Sequence, residues 1–122
     1  MNVIADHAAI EFFIHINHLF IHMDNFSESV LRLAAKIPKG KVATYRQIAV
    51  ALGKPNAFRA VGNALNKNPN LIKIPCHRVV KSNGEVGNYA SGAKRKIALL
   101  EKEGIGIKNG KIASLERYLR DL

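Results

Sequence analysis

The sequence predicts a mostly helical α/β domain built on a helix-turn-helix, and three observations carry that reading. Two short segments with helical apolar spacing, "TYRQIAVALG" and "AFRAVGNALN", follow each other across a tight turn containing Gly53. The pieces around them are brief: "KVA" and "LIKI" read as extended, and "HRVV" as a buried strand or a helical turn. A chain of 122 residues with one cysteine fits one domain that buries its core without disulfides.

Taken in order, "AAIEFFIHINHLFIHM" is apolar, with His15, His18 and His22 at helical spacing, while Ile14 and Ile16 also suit a strand. Residues 1–25 are read as a short N-terminal segment and 26–122 as the domain. "FSESVLRLAAKI" follows as a helix with Ser27 as N-cap and Val30, Leu31, Leu33, Ala34 and Ile37 apolar, ended by "PKG". Thr44 caps a helix from about Tyr45 to Leu52, which Gly53 closes. Asn56 caps the next, whose inner stripe is Ala57, Ala60, Val61, Ala64 and Leu65, so that the helix-turn-helix spans about 45–66.

The outer face of that second helix carries Arg59, Gly62, Asn63 and Asn66. Glycine in a helix interior costs about 1 kcal/mol relative to alanine, so Gly62 marks a place where another backbone comes close. "KSNGEVGNYASG" is a loop, and a helix from about Ala93 to Glu103, stopped by Gly104, puts Lys96, Leu100 and Glu103 on one stripe. "IGIKNGKIA" resembles a hairpin around Asn109-Gly110, and "SLERYLRDL" a short terminal helix.

The net charge of +10 comes from 19 Lys and Arg against 9 Asp and Glu. All basic side chains lie beyond residue 25. Such a domain attracts polyanions by counterion release, nucleic acid foremost, although a merely lysine-rich surface has the same composition. No Lys or Arg precedes the first apolar run, and Asp6, Glu11, His15, Asn17 and His18 interrupt it. Neither a signal peptide nor a membrane span is expected, and the protein reads as soluble and intracellular, cytoplasmic or, in a eukaryote, nuclear.

The one thiol, Cys76, stands in "IPCHRVV" between Pro75 and His77. A lone cysteine is most often a small hydrophobe. Sulfur becomes a nucleophile only as thiolate, which needs a base or a cation, and His77 and Arg78 follow at once. Adjacent side chains need not touch, so His77 also reads as a core histidine, unless a carboxylate such as Glu103 orients its ring.

"IPCHRVV" and "GNY", preceded by "TYRQIA" and "RAVGNAL", closely resemble the O6-alkylguanine-DNA alkyltransferase family (methylated-DNA–protein-cysteine methyltransferases) over residues from about 26 to 107. The resemblance implies repair of double-stranded DNA containing O6-alkylguanine. The damaged base is flipped out, and its alkyl group passes to the cysteine once per molecule, with no cofactor or metal. It makes Cys76 the acceptor, His77 the base acting through water, Glu103 the residue orienting His77, and Tyr45 the phenol that donates to the leaving guanine. Arg59 becomes the finger that fills the vacated stack, on a DNA-binding face with Thr44, Ala60, Gly62 and Asn63. Asn68 fastens the turn under the thiol, Tyr89 and Ala90 line the pocket, Lys96 braces it, and Val79 offers a carbonyl to the guanine amino group.

The sequence departs from the family's pattern in places. Ala90 and Ser91 stand where many relatives have Ser-Gly, and Leu71 where some have proline, which bears on the alkyl groups accepted. Many members carry a full α/β domain ahead of this one, where here about 25 residues stand. Histidines 7, 15, 18 and 22 invite a zinc reading. They are taken instead as the polar face of a segment whose apolar side covers the domain or a second copy of an otherwise monomeric protein. Two other function classes remain: an alkyltransferase-like protein that recognises the lesion without reacting, disfavoured by the cysteine, and a helix-turn-helix regulator, disfavoured by the small residues around Arg59.

Overall fold

The computed structural model describes residues 25–71 and 73–122. Expectations about residues 1–24, including the histidine face, zinc and the capping segment, lie outside the described residues. Helices α1 (Asn25–Ala34), α2 (Tyr45–Ala51), α3 (Phe58–Asn66), α4 (Ala93–Lys102) and α5 (Leu115–Tyr118) alternate with strands β1 (Ala43–Thr44), β2 (Val79–Val80), β3 (Ile107–Lys108) and β4 (Lys111–Ile112). A 3-10 turn, Cys76–Arg78, leads into β2. The mostly helical α/β class and the helix-turn-helix of α2 and α3 are both present. No helix of the described residues is long and apolar enough to cross a membrane.

β1 and β2 pair in parallel, Ala43 opposite Val79 and Thr44 opposite Val80. This pairing joins the helix-turn-helix to the thiol segment, since β1 runs straight into α2 and the 3-10 turn straight into β2. The C-terminal tail adds a further edge, with Val42 N donating to Tyr118 O at 2.9 Å and Arg120 N to Val42 O at 2.8 Å. β3 and β4 form a hairpin turned by Asn109 and Gly110, both at positive φ as a two-residue turn of this hand requires.

Two apolar clusters hold these elements. The first packs Val30, Leu31 and Ala34 of α1 against Ile48, Val61, Leu65 and Ile74, and Cys76 belongs to it. The second gathers Val42, Val80, Leu100, Ile105 and Ile112 under the hairpin. Each fully buried Leu, Ile or Val contributes about 1.5–3 kcal/mol of transfer free energy, and the thiol loop inherits that rigidity.

Local details correct four expectations. α1 spans Asn25–Ala34, so Ser27 is a buried residue inside it and not the cap, and the helix ends at Ala34, with Ile37 buried beyond it. α3 is preceded by Ala57 without a side-chain cap, so Asn56 does not cap it. Ala60 is exposed, because the inner stripe narrows to Val61, Ala64 and Leu65. At Gly62 an added Cβ would lie 3.8 Å from the Tyr45 ring, an ordinary contact, so a backbone closing on this position would have to come from a partner.

Candidate active site and DNA-facing cleft

Cys76 is 4% exposed, at the start of the 3-10 turn. The amide of Asn68 fastens the loop from beneath: Nδ2 donates to Ile74 O at 2.9 Å and to Cys76 Sγ at 3.1 Å, while Oδ1 accepts from Asn70 N at 2.9 Å. Burial pushes the thiol pKa up, and the Asn68 bond, the Lys96 cation and a backbone N–H pull it partly back. The resting group is a thiol whose anion already has a hydrogen-bond donor and a cation in place.

His77 is 7% exposed, and Nε2 stands 3.1 Å from Glu103 Oε2. The contact has the distance of an ion pair, but its angle is too poor for a directed hydrogen bond, and neither ring nitrogen has one. Burial is the main cause that lowers the His77 pKa, against the pull of Glu103 and with help from Arg78 and Lys96. The ring is therefore neutral near pH 7 and able to accept a proton. Tyr89 meets it edge to face, centroids 6.4 Å apart.

Glu103, at the C-terminal end of α4, is held more firmly by Arg78 than by His77. Arg78 Nε reaches Oε1 at 3.0 Å and Nη2 reaches Oε2 at 2.6 Å, while Nη1 donates to Ile37 O at 2.7 Å. Burial raises the Glu103 pKa, but the Arg78 hydrogen bonds, the close His77 ring and the charges of both outweigh it and the net shift is downward. Sequence reasoning treated Arg78 only as a nearby charge, and its separation of 25 positions from Glu103 gives no signal of a fork-to-carboxylate pair.

Lys96 has no solvent exposure, and its ammonium is enclosed by Val79 O at 2.6 Å, Asn88 O at 3.0 Å and Tyr45 Oη at 3.2 Å. Burial pushes its pKa down to about 7. Lys96 thus ties β2, the 88 loop and α2 together behind the thiol, and the Val79 carbonyl already has one partner. Tyr45 donates to Asn88 O in a long bond of 3.3 Å. Its pKa is pushed up to about 12 by burial and then by Cys76. Gly87, at φ +79°, lies so close that an added Cβ would be 2.7 Å from the phenol oxygen. The "GNY" triplet holds the one signal, a glycine, that could have shown this approach.

The outer face of α3 lines a cleft of about 750 Å³ in which Tyr45, Phe58, Arg59, Gly62 and Asn63 face Lys81 and Asn83. Phe58 is 45% exposed beside Arg59. Thr44, expected on this face, is buried and not part of it: its hydroxyl accepts from Gln47 N at 3.0 Å while Thr44 N donates to Gln47 Oε1 at 2.7 Å, a reciprocal cap. Ala60 is exposed on α3 but does not line the cleft, and Ala90 is exposed in the loop after Tyr89. Among the described residues no group of three or more His, Cys, Asp and Glu is placed to hold a metal.

A helix-turn-helix carrying a basic outer face, with a buried, hydrogen-bonded thiol behind it, defines a DNA-binding domain with a cysteine site. Residues 25–105 match the family described as 6-O-methylguanine DNA methyltransferase, DNA binding domain, and the chain belongs to that family. Methylated-DNA--protein-cysteine methyltransferases are similar to it: that of Saccharolobus solfataricus is 56% identical over 82 residues, 67% of this chain and 52% of its own length. That of Methanosarcina barkeri is 51% identical over 79 residues, 65% of this chain and 50% of its own. The chain therefore spans about half the length of the curated relatives it matches.

Two solved structures are similar in fold. Schizosaccharomyces pombe Atl1 in complex with damaged DNA containing O6-carboxymethylguanine aligns with a TM-score of 0.72 at 32% identity, over 84% of this chain and 100% of that one. Mycobacterium tuberculosis OGT in complex with DNA aligns at 0.64 and 42% identity, over 66% of this chain and 50% of that one.

Proposed function

We propose that this protein repairs O6-alkylguanine in duplex DNA by transferring the alkyl group, once per molecule, to Cys76. The observation that carries the reading is the thiol itself, buried yet held at 3.1 Å by Asn68 and standing next to a histidine that burial keeps neutral. A family member with a nucleophile in this setting has the parts for displacement at an alkyl carbon.

In this reading α3 lies against the duplex, with Arg59 replacing the extruded base while the guanine enters beside Tyr45. The complexes of the fission-yeast and mycobacterial relatives with DNA support DNA as the partner. The Cys76 proton passes through water to His77, the Sγ–C bond forms as the C–O6 bond breaks, guanine leaves with the electron pair and takes a proton from water, and His77 returns its proton to water. Tyr45, kept protonated by burial, donates a hydrogen bond to the departing base in exchange for its long bond to Asn88. Net, one proton moves from sulfur to guanine.

Intact mass after incubation with an O6-methylguanine duplex tests this directly. One added methyl on the wild type, mapped to Cys76 and absent from Cys76→Ser, is expected. An unmodified wild type that still prefers the alkylated duplex to the plain one would replace transfer with recognition alone.

A further inference from the structure

Phe58 opens α3 with 45% of its surface exposed and belongs to neither apolar cluster of the described residues. A single exposed apolar side chain is ordinary, so its surroundings decide what it means. The ring lines the α3 cleft together with Arg46, Arg59 and Lys81, and among the described residues no carboxylate lines that cleft. Lys81 Nζ lies 3.3 Å from Glu85, but both side chains are solvent-exposed and such a pair is weak. The other exposed large hydrophobics of the described residues, Val50 and Leu122, line a different cleft.

Its own helix leaves the ring bare. Helical side chains lean toward the N-terminus, so the residues that could lie over Phe58 are those three and four positions on. Val61 is turned into the core, and Gly62 has no side chain. Helix propensity gives no reason for an aromatic here either, since alanine serves a helix better. A cationic cleft draws phosphates, and an apolar ring inside it finds an apolar partner in the faces of the bases.

We propose, resting on the reading that α3 lies against the duplex, that Phe58 is a wedge entering the base step next to the layer that Arg59 fills. Consecutive Cα atoms are about 3.8 Å apart, close to the ~3.4 Å between base layers, so neighbouring residues reach neighbouring layers. Inserted apolar side chains partly unstack a step and kink the duplex. Arg59 makes up for stacking lost in the vacated layer, while Phe58 buries its own ring and adds affinity that does not depend on salt.

The test uses the full chain carrying Cys76→Ser, which removes the thiol, and O6-methylguanine duplexes with 2-aminopurine on the 5′ or the 3′ side of the lesion. Binding should raise the 2-aminopurine fluorescence on at least one side by unstacking, and adding Phe58→Ala should remove most of that rise. Duplex affinity should fall about tenfold, within the range for deleting an aromatic stacked on a base, with the salt slope unchanged. The unfolding midpoint should stay where it is, as for other exposed positions. A full rise on both sides in the Phe58→Ala protein overturns the wedge and leaves the DNA reading intact, and so does binding by the parent without any rise. A smaller salt slope in Phe58→Ala overturns it too, because the ring would then act through the phosphate contacts. If the parent binds neither the alkylated nor the plain duplex, the DNA reading fails and the wedge with it.

Discussion

The Asn68 amide holds two acceptors with one nitrogen, Ile74 O at 2.9 Å and Cys76 Sγ at 3.1 Å, so one side chain shapes the thiol loop and solvates the thiolate. Its donation lowers a thiol pKa that burial otherwise raises. Asn68→Ala removes it. Transfer at neutral pH should fall by about tenfold or more, the factor given by ~1.4 kcal/mol, which is the size of one hydrogen bond to a charged group. The pH profile of iodoacetamide labelling at Cys76 should move upward. An unshifted profile would show that Asn68 acts on the loop alone.

Lys96 gives a pH signature in stability. Burial brings its pKa from 10.5 to about 7, so between those values the unfolded chain binds a proton that the folded chain does not. The contribution of this position to stability therefore rises as pH climbs from about 7 toward 10.5 and is lowest below that window. Urea unfolding of the wild type and Lys96→Met across the window should show the wild type gaining on the variant as pH rises. A constant difference would mean that Lys96 stays charged in the fold.

Glu103→Gln tests two partners at once. It removes the carboxylate that raises the His77 pKa and strips Arg78 of its bidentate partner. Transfer should slow, with duplex affinity unchanged. The fold should lose about 2–3 kcal/mol, in the range for leaving a largely buried charge without its pair. A normal unfolding midpoint together with a normal rate would reduce Glu103 to a surface helix end.

Arg59 lies on the exposed face of α3, in the cleft with Gly62, whose lining includes no residue of the thiol loop. A residue that replaces an extruded base lowers the cost of extrusion and takes no part in displacement. Arg59→Ala should react almost normally with free O6-benzylguanine and repair a duplex about tenfold more slowly, as a loss of ~1.4 kcal/mol from flipping requires. A simple phosphate contact would instead show weaker binding with a smaller salt slope, restored at saturating DNA. Equal slowing on both substrates would remove the finger role.

Much was determined by the sequence alone, because the interactions concerned are local. Thr44 and Gln47 cap α2 three residues apart, Gly53 and Gly104 end helices at positive φ, and Asn109-Gly110 turns the hairpin. The helix-turn-helix and the thiol motif were legible for the same reason, as runs of consecutive residues with fixed spacing. What only the tertiary structure decided depends on partners far apart in the chain. Arg78 meets Glu103 25 positions away, Lys96 meets Tyr45 51 positions away, and Gly87 leaves room for the Tyr45 phenol. Ser27, Asn56 and Ala60 were misplaced because a cap or stripe assignment turns on a single residue of helix register, which packing against the core sets. The thiol's acidity is settled the same way: composition supplies a cysteine, and only the enclosure by Asn68 and Lys96 decides how far burial is offset.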